Sequence, residues 1–219
     1  AKNNGDTPLI IACESGHSEC VQLLLGANAA VDQAMTNGAT PLLIASEFGK
    51  IRCVQLLSSY GAKRTAVIND SEATAEQLSN DSGHTAVHEW LIQSRHWSPL
   101  HHLEVLPLAR ARALLRSGAG LRLSPYAGVP SPLERARQHL LLAAPDDGVL
   151  IAEVASLLVR ASGPWSAASH ELFPDADRAR AAALAPLLYH VYLRRMGNGG
   201  WQAVDFAHAV LSQLLYCRG

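Results

Sequence analysis

Histidines are the residues of this chain that could hold a metal ion. The sequence has 10 histidines, and His84 and His88 stand four residues apart, which would place both imidazoles on one face of a helix. Neither a glutamate nor a third ligand stands at the spacing that zinc enzymes use. We therefore expect structural histidines, with no metal and no cofactor.

Nucleophilic and phosphate-binding chemistry has no motif in this sequence. There is no Gly-x-Ser-x-Gly, no phosphate-binding lysine loop and no Gly-x-Gly-x-x-Gly. The cysteines lack Cys-x-x-Cys spacing, which argues against a zinc site and a disulfide scaffold; they are Cys13, Cys20, Cys53 and Cys217. The sequence therefore predicts a protein that is not an enzyme.

Composition argues against two further classes of function. With 18 basic and 19 acidic residues the chain has no global basic field, so we expect no nucleic-acid partner. No uncharged apolar run reaches the length of about 18 residues that a membrane helix needs, so we expect no membrane insertion. Residues 1–94 carry five Lys/Arg against ten Asp/Glu, so the N-terminal part presents an acidic field.

An internal repeat indicates the elements that position these residues. Thr7-Pro8-Leu9 recurs as Thr40-Pro41-Leu42, and at the same interval residues 20–24 recur unchanged as residues 53–57. Thr can cap a helix, Pro has no N–H to leave unpaired in the first turn, and Leu can face the neighbouring repeat. A period of this length predicts stacked helical units.

Later repeats follow the same pattern less regularly. Thr74 begins a third repeat, Ser98 a fourth after a clearly shorter interval, and Ser131 a fifth after the regular interval. The short interval leaves no room for a full hairpin, so we expect residues 94–97 to cross directly and Trp97 to fill the gap. Trp165-Ser166 matches Trp97-Ser98 and indicates a degenerate sixth repeat with a long second helix.

This pattern resembles the ankyrin-repeat family. The resemblance implies an all-α fold, an ankyrin-type helical solenoid of five to six helix pairs with short hairpin turns and a C-terminal capping helix. Left-handed residues such as Asn28, Gly61 and Gly118 are expected to end second helices. The expected divisions are residues 1–94 for three regular repeats, 95–163 for two divergent repeats, 164–196 for a degenerate repeat or cap, and 201–218 for an amphipathic C-terminal helix.

The resemblance also implies a function, that of a non-catalytic protein–protein interaction module or scaffold. Such stacks bind a protein partner through the hairpin tips and the concave row of first helices. The positions that match are Asn3, Asn4, Asp6, Glu14, Ser15, Thr36, Asn37, Ala39, Glu47, Phe48, Asp70, Ser71 and Ala73. The set contains acids and no base, so a basic peptide or surface is the expected partner. For Phe48, exposure to a ligand and burial in the stack stay open.

Two alternatives stay open for the function. One is a substrate adaptor of a ubiquitin ligase with a box-like helix at residues 205–215, although the Leu-Pro-x-x-Ile/Leu opening of such boxes is absent. The other is an accessory or linker subunit, a stable member of a large assembly. We expect an intracellular protein, cytoplasmic by default. An organelle such as a plastid is the alternative because the sequence begins at Ala1 without methionine.

Overall fold

The computed structural model describes residues 4–122, 124, 126–142, 149–163, 169–196 and 210. It divides into two compact bodies. The N-terminal body comprises residues 1–106 and 125–129, and the C-terminal body comprises residues 107–124 and 130–219.

The N-terminal body is built from three successive helix pairs and one small hairpin. The first helices are α1 (Pro8–Ser15), α3 (Pro41–Glu47) and α5 (Ala75–Asp81), and the second helices are α2 (Ser18–Gly26), α4 (Ile51–Ser59) and α6 (Thr85–Gln93). The strands β1 (Thr65–Ile68) and β2 (Ser71–Thr74) stand between α4 and α5. The helical class predicted from the sequence is confirmed.

Threonine caps begin the three first helices, as the sequence predicts. The hydroxyl oxygen of Thr7 accepts a hydrogen bond from the N–H of Ile10 at 3.2 Å, and Thr40 caps α3 in the same way. Thr74 goes further: its hydroxyl accepts from Gln77 N at 3.1 Å while Gln77 Oε1 accepts from Thr74 N at 3.2 Å. Each cap satisfies backbone donors that a helix leaves unpaired at its start.

Apolar packing between neighbouring pairs forms the core of this body. Helix α1 packs on α3, α3 on α5, and α2 on α4. Leu42, Leu57 and Leu91, one from each of α3, α4 and α6, have no exposed surface. The second helices end where the sequence predicts, since Asn28 has φ 62° and Gly61 has φ 82°.

The turn between the second and third repeats is a two-stranded antiparallel hairpin. Thr65 pairs with Thr74 and Ile68 with Ser71. Asn69 and Asp70 have φ 48° and 66°, so both central residues of the turn are left-handed. Two such residues match the twist of the flanking strands, and Asn and Asp tolerate this conformation better than most residues.

The fourth repeat departs from the expected helix pair. In place of a first helix, Pro99–His101 forms a single 3-10 turn, in which His101 Nδ1 lies 2.9 Å from Ser98 N and accepts its hydrogen bond. Pro107 stands only six residues further on and disfavours a helical residue directly before it, which leaves no room for a full helix and a turn. Residues 94–97 cross without a strand, as predicted.

The C-terminal body contains the remaining helices. They are α7 (Leu108–Arg116), α8 (Pro132–Leu142), α9 (Val149–Ala161) and α10 (Asp175–Met196), with a 3-10 turn at His170–Leu172. Helices α8 and α9 pack against each other, and Gly118, after α7, has the expected left-handed φ of 85°. Helix α10 occupies the place predicted for the long second helix of the sixth repeat. Of the predicted helix at 201–218, the described part is Val210, which is helical.

Close approach of the hairpin to the preceding loop gives a stability test. A Cβ at Gly38, which has φ 92°, would lie 1.8 Å from the carbonyl oxygen of Val67, whereas a Cβ at Gly61 meets nothing within 4 Å. Gly61→Ala carries only the left-handed strain, about 1–2 kcal/mol. We expect Gly38→Ala to lower the free energy of unfolding by clearly more than Gly61→Ala in urea denaturation. Equal losses would contradict the packing of β1 on this loop.

Candidate protein-binding surface

Backbone hydrogen bonds join the tips of successive repeats. The carbonyl oxygen of Asn4 accepts from Thr36 N at 3.0 Å and from Thr36 Oγ1 at 2.9 Å. One repeat on, the carbonyl oxygen of Asn37 accepts from Asn69 N at 3.0 Å. The tip residues predicted from the sequence are therefore held in register from repeat to repeat, and Asp70 follows directly in the same row.

The predicted tip residues differ in what they can offer a partner. Asn4, Thr36, Asn37, Asp70 and Ser71 are exposed, and Ala73 is half-buried. The side-chain oxygen of Asn37 is engaged by the N–H of Ala39 at 3.0 Å, so part of its hydrogen-bonding capacity already holds the turn.

Three predicted positions need separate mention. Asp6 and Ala39 are buried, because the chain turns inward to begin each first helix, so their side chains do not belong to the exposed surface. Asn3 lies outside the described residues.

The ends of the first helices carry an exposed acidic row. Glu14 and Ser15 end α1, Glu47 ends α3 and Phe48 follows it, and all four side chains are exposed. In the third repeat the equivalent of Glu47 is Asp81, which ends α5 and is also exposed. We call Glu14, Glu47 and Asp81 the acidic column.

Asp81 is a residue that the sequence reasoning missed. The interval from Glu47 to Asp81 equals the interval from Thr40 to Thr74. The carried-over positions of the third repeat stopped at Ala73, before the first helix. Extending the repeat register into that helix would have found Asp81.

An apolar row runs beside the acidic column. Three residues before each acid stand Ile11, Ile44 and Leu78, which we call the apolar column. Ile11 is 46% exposed, and Ile44 and Leu78 are half-buried. Residues three apart on a helix share a face, so the two columns are neighbours on every first helix.

Phe48 extends this apolar surface. Its side chain is 43% exposed, which decides the question the sequence left open in favour of exposure. Lys50 is the nearby base: its side-chain stem runs against Gly16, where a Cβ would lie 2.9 Å from Lys50 Cδ.

Trp97 has the opposite environment. It is half-buried, and its ring centroid lies 5.9 Å from that of Trp90 in an edge-to-face arrangement and 5.4 Å from that of His102. Its ring also stacks at 6.2 Å on His101. Edge-to-face and stacked rings of this kind stabilise a fold beyond their buried area. Trp97 fills the gap left by the missing hairpin, as predicted.

Three histidines of the described residues, His84, His88 and His101, support turns and helices. His101 caps its turn through Ser98, and His88 Nδ1 lies 2.9 Å from the carbonyl oxygen of Glu76. The ring of His84 packs over Gly49, where a Cβ would come within 2.5 Å of it. Within the described ranges, no group of three or more His, Cys, Asp or Glu side chains is placed to hold a metal ion.

Burial keeps two thiols of this body, those of Cys13 and Cys53, in their neutral form. Cys13 and Cys53 have no exposed surface, and burial raises the pKa of Cys53 to about 11. The pKa of Cys13 is raised as well, first by burial and then by the neighbouring Cys53. A thiolate is the nucleophilic form of cysteine, so neither residue is set up as a nucleophile.

A half-buried arginine organises the end of α6. Arg64 donates to the carbonyl oxygens of Leu91 and Ser94, and its guanidinium lies 3.5 Å from a carboxylate oxygen of Glu76. Burial lowers the pKa of Arg64, and the charge of Glu76 opposes that shift. The guanidinium satisfies carbonyls that a helix leaves free at its C-terminus, so its role is structural.

The N-terminal body is a helical repeat structure. Its helix pairs recur at a nearly constant interval, its first helices are capped by threonine, and the tips of successive repeats are hydrogen-bonded. Residues 1–67 match the family whose description is "Ankyrin repeats (3 copies)". The resemblance seen in the sequence is thus confirmed for this part of the chain. Ankyrin repeats are protein–protein interaction modules and are typically non-catalytic, and they imply protein partners.

Comparison with known proteins adds two further findings. The crystal structure of the human ASB11 ankyrin repeat domain matches with 23% identity over 80% of each chain and a TM-score of 0.40. No curated protein matches the sequence significantly.

Among the helices of the described residues, none is long and apolar enough to cross a membrane.

The two aromatic residues give a matched pair of variants. Trp97→Ala should lower the free energy of unfolding by about 3 kcal/mol, the low end for core aromatics because its ring is half-buried. Phe48→Ala should change it by no more than about 0.5 kcal/mol, as for a surface substitution. Thermal and urea denaturation of both variants measures this. A smaller loss for Trp97→Ala than for Phe48→Ala would contradict the two assignments.

Proposed function

We propose that this chain is a non-catalytic interaction module whose N-terminal body binds a basic segment of a protein partner. The surface is formed by the exposed ends of the first helices together with the tips. The observation that carries the proposal is the acidic column, three carboxylates at equivalent positions of three successive repeats.

The carboxylates of the acidic column are exposed to a partner, and Asp81 Oδ1 also accepts a long hydrogen bond of 3.5 Å from Asn80 Nδ2. In the part of the chain that the structure describes, arginines form ion pairs with Glu76, Asp175 and Asp177. Within that same part, no Lys, Arg or His nitrogen lies within 4.0 Å of a carboxylate oxygen of Glu14, Glu47 or Asp81. Exposed charges of one sign, arranged in a row, attract a complementary segment and raise its association rate. Surface charges are screened by salt, so this attraction weakens as the ionic strength rises.

Apolar side chains near the acidic column can hold a partner in addition to the electrostatic attraction of the acids. Ile11 and Phe48 expose large apolar surfaces beside Glu14 and Glu47. An interface is typically held by a few apolar or aromatic anchors surrounded by polar contacts. The acids therefore supply attraction and orientation, and the apolar side chains supply contact area.

Charge reversal tests the proposal directly. The probes are two labelled peptides, one alternating Lys with Ser and one alternating Glu with Ser, titrated into the 219-residue chain and followed by fluorescence anisotropy. We expect the basic peptide to bind and the acidic one not to bind. Glu14→Lys with Glu47→Lys should weaken binding about tenfold, because two attractive pairs become repulsive.

A control with the same charge change keeps the test specific. Glu89 and Glu153 are exposed residues inside other helices, α6 and α9. Glu89→Lys with Glu153→Lys should leave the affinity nearly unchanged. Equal weakening by both double variants would mean that only net charge matters, and preferential binding of the acidic peptide would refute the proposed surface.

A further inference from the structure

The acidic and apolar columns define the spacing of the side chains along the bound segment as well as its charge. We infer that the segment bound by this surface is an extended, polyproline-II-like stretch with a basic residue at every third position, each followed by an apolar residue. The inference rests on the proposed function, because it describes the partner of that same surface.

The first step is the distance between equivalent side chains. Helices α1, α3 and α5 pack directly on one another in sequence. Packed helices have axes about 8–10 Å apart. Glu14, Glu47 and Asp81 occupy equivalent positions on these helices, so the acidic column repeats at about that interval. The apolar column repeats with it.

The second step compares this interval with the repeats of regular backbones. Side chains on one face of a β-strand recur at about 6.6 Å, or about 13 Å for alternate ones. On an α-helix they recur at about 10.5 Å for residues seven apart. A polyproline-II helix has three residues per turn and a rise of about 3.1 Å, so every third side chain recurs at about 9.3 Å. The polyproline-II value lies inside the helix-packing interval, whereas the α-helical value lies just beyond its upper end. A helical peptide is therefore the competing occupant that the experiment includes.

The third step is the side-by-side arrangement of the columns. On each first helix the apolar residue precedes the acid by three positions, for example Ile44 and Glu47, so the two columns run in parallel. A threefold backbone presents three edges. One edge can carry Lys or Arg toward the acidic column and the next can carry apolar residues toward Ile11, Ile44 and Leu78, while the third faces away.

Phe48 adds an anchor beside the middle acid. Its exposed ring follows Glu47 directly, at the position that Ser15 and Ser82 occupy in the neighbouring repeats. Aromatic faces attract ammonium and guanidinium groups. The basic residue that meets Glu47 therefore has both a carboxylate and a ring to contact, and it should contribute more than the basic residues on either side.

The experiment compares a matched peptide with an isomer of the same composition and with a helical peptide. The matched probe has four Lys-Leu-Pro triplets; the isomer has the order Lys-Lys-Leu-Leu-Pro-Pro, twice; a third, helical probe carries Lys at every seventh position with Leu four residues after each. All are titrated into the full chain by anisotropy at low salt. We expect the matched probe to bind about tenfold more tightly than its isomer and than the helical probe.

Neutral variants connect the affinity to the two columns. Glu14→Gln, Glu47→Gln and Asp81→Asn together should remove most of the difference between the matched probe and its isomer, while Glu89→Gln with Glu153→Gln should retain it. Phe48→Ala should weaken the matched probe and leave thermal stability unchanged.

The possible outcomes separate this inference from the proposed function. Equal binding of the matched probe and the isomer, both sensitive to the acidic column, would overturn the spacing and leave a basic partner standing. Tighter binding of the helical probe would overturn the extended backbone in the same way. Absence of binding by all three probes would overturn the inference, and the alternating Lys and Ser peptide then decides the proposed function separately.

Discussion

The apolar contact between neighbouring helix pairs is the interaction on which the N-terminal body depends. Leu23 of α2 is 75% exposed, whereas the equivalent residue of the second repeat, Leu56 of α4, is 3% exposed. Helix α4 has α2 packed against it. The two residues share a type and a repeat position, so the difference comes from the neighbour. One helix pair cannot bury its own apolar face, and stability comes from the sum of intrinsic and neighbour terms. The helix pairs must therefore stack before their exposed residues can form a shared binding surface.

The same stacking turns single exposed side chains into rows. Because α1, α3 and α5 pack in order, a residue at one repeat position is brought beside its equivalents in the next repeats. Glu14, Glu47 and Asp81 become a column in this way, although they are far apart in the chain. The linked tips and the close approach of Gly38 to β1 fix the register of these rows. The recognition surface is thus a consequence of the repeat spacing.

Local signals explain why much of this structure could be predicted from the sequence. Thr7 and Thr40 cap their helices through residues three positions away, and Asn28 and Gly61 end helices through their own backbone conformation. The 3-10 turn at Pro99–His101 depends instead on the short distance to Pro107, and the end of α6 depends on Arg64, which reaches residues 27 to 30 positions away. Contacts of that range leave no periodic pattern in a sequence. The binding surface could be predicted only in part. The repeat register leads to Asp81, whereas the burial of Ala39 follows from packing alone.

The most direct measurement of the central claim is a map of amide chemical-shift changes in the full chain on titration with the Lys-Leu-Pro probe. The columns and the stack predict changes concentrated at the ends of α1, α3 and α5, at residues 11–15, 44–48 and 78–82, with little change in α2, α4 and α6. Changes confined to one repeat would contradict a surface built by stacking. Changes centred on α7 to α10 would place recognition in the C-terminal body and contradict the account as a whole.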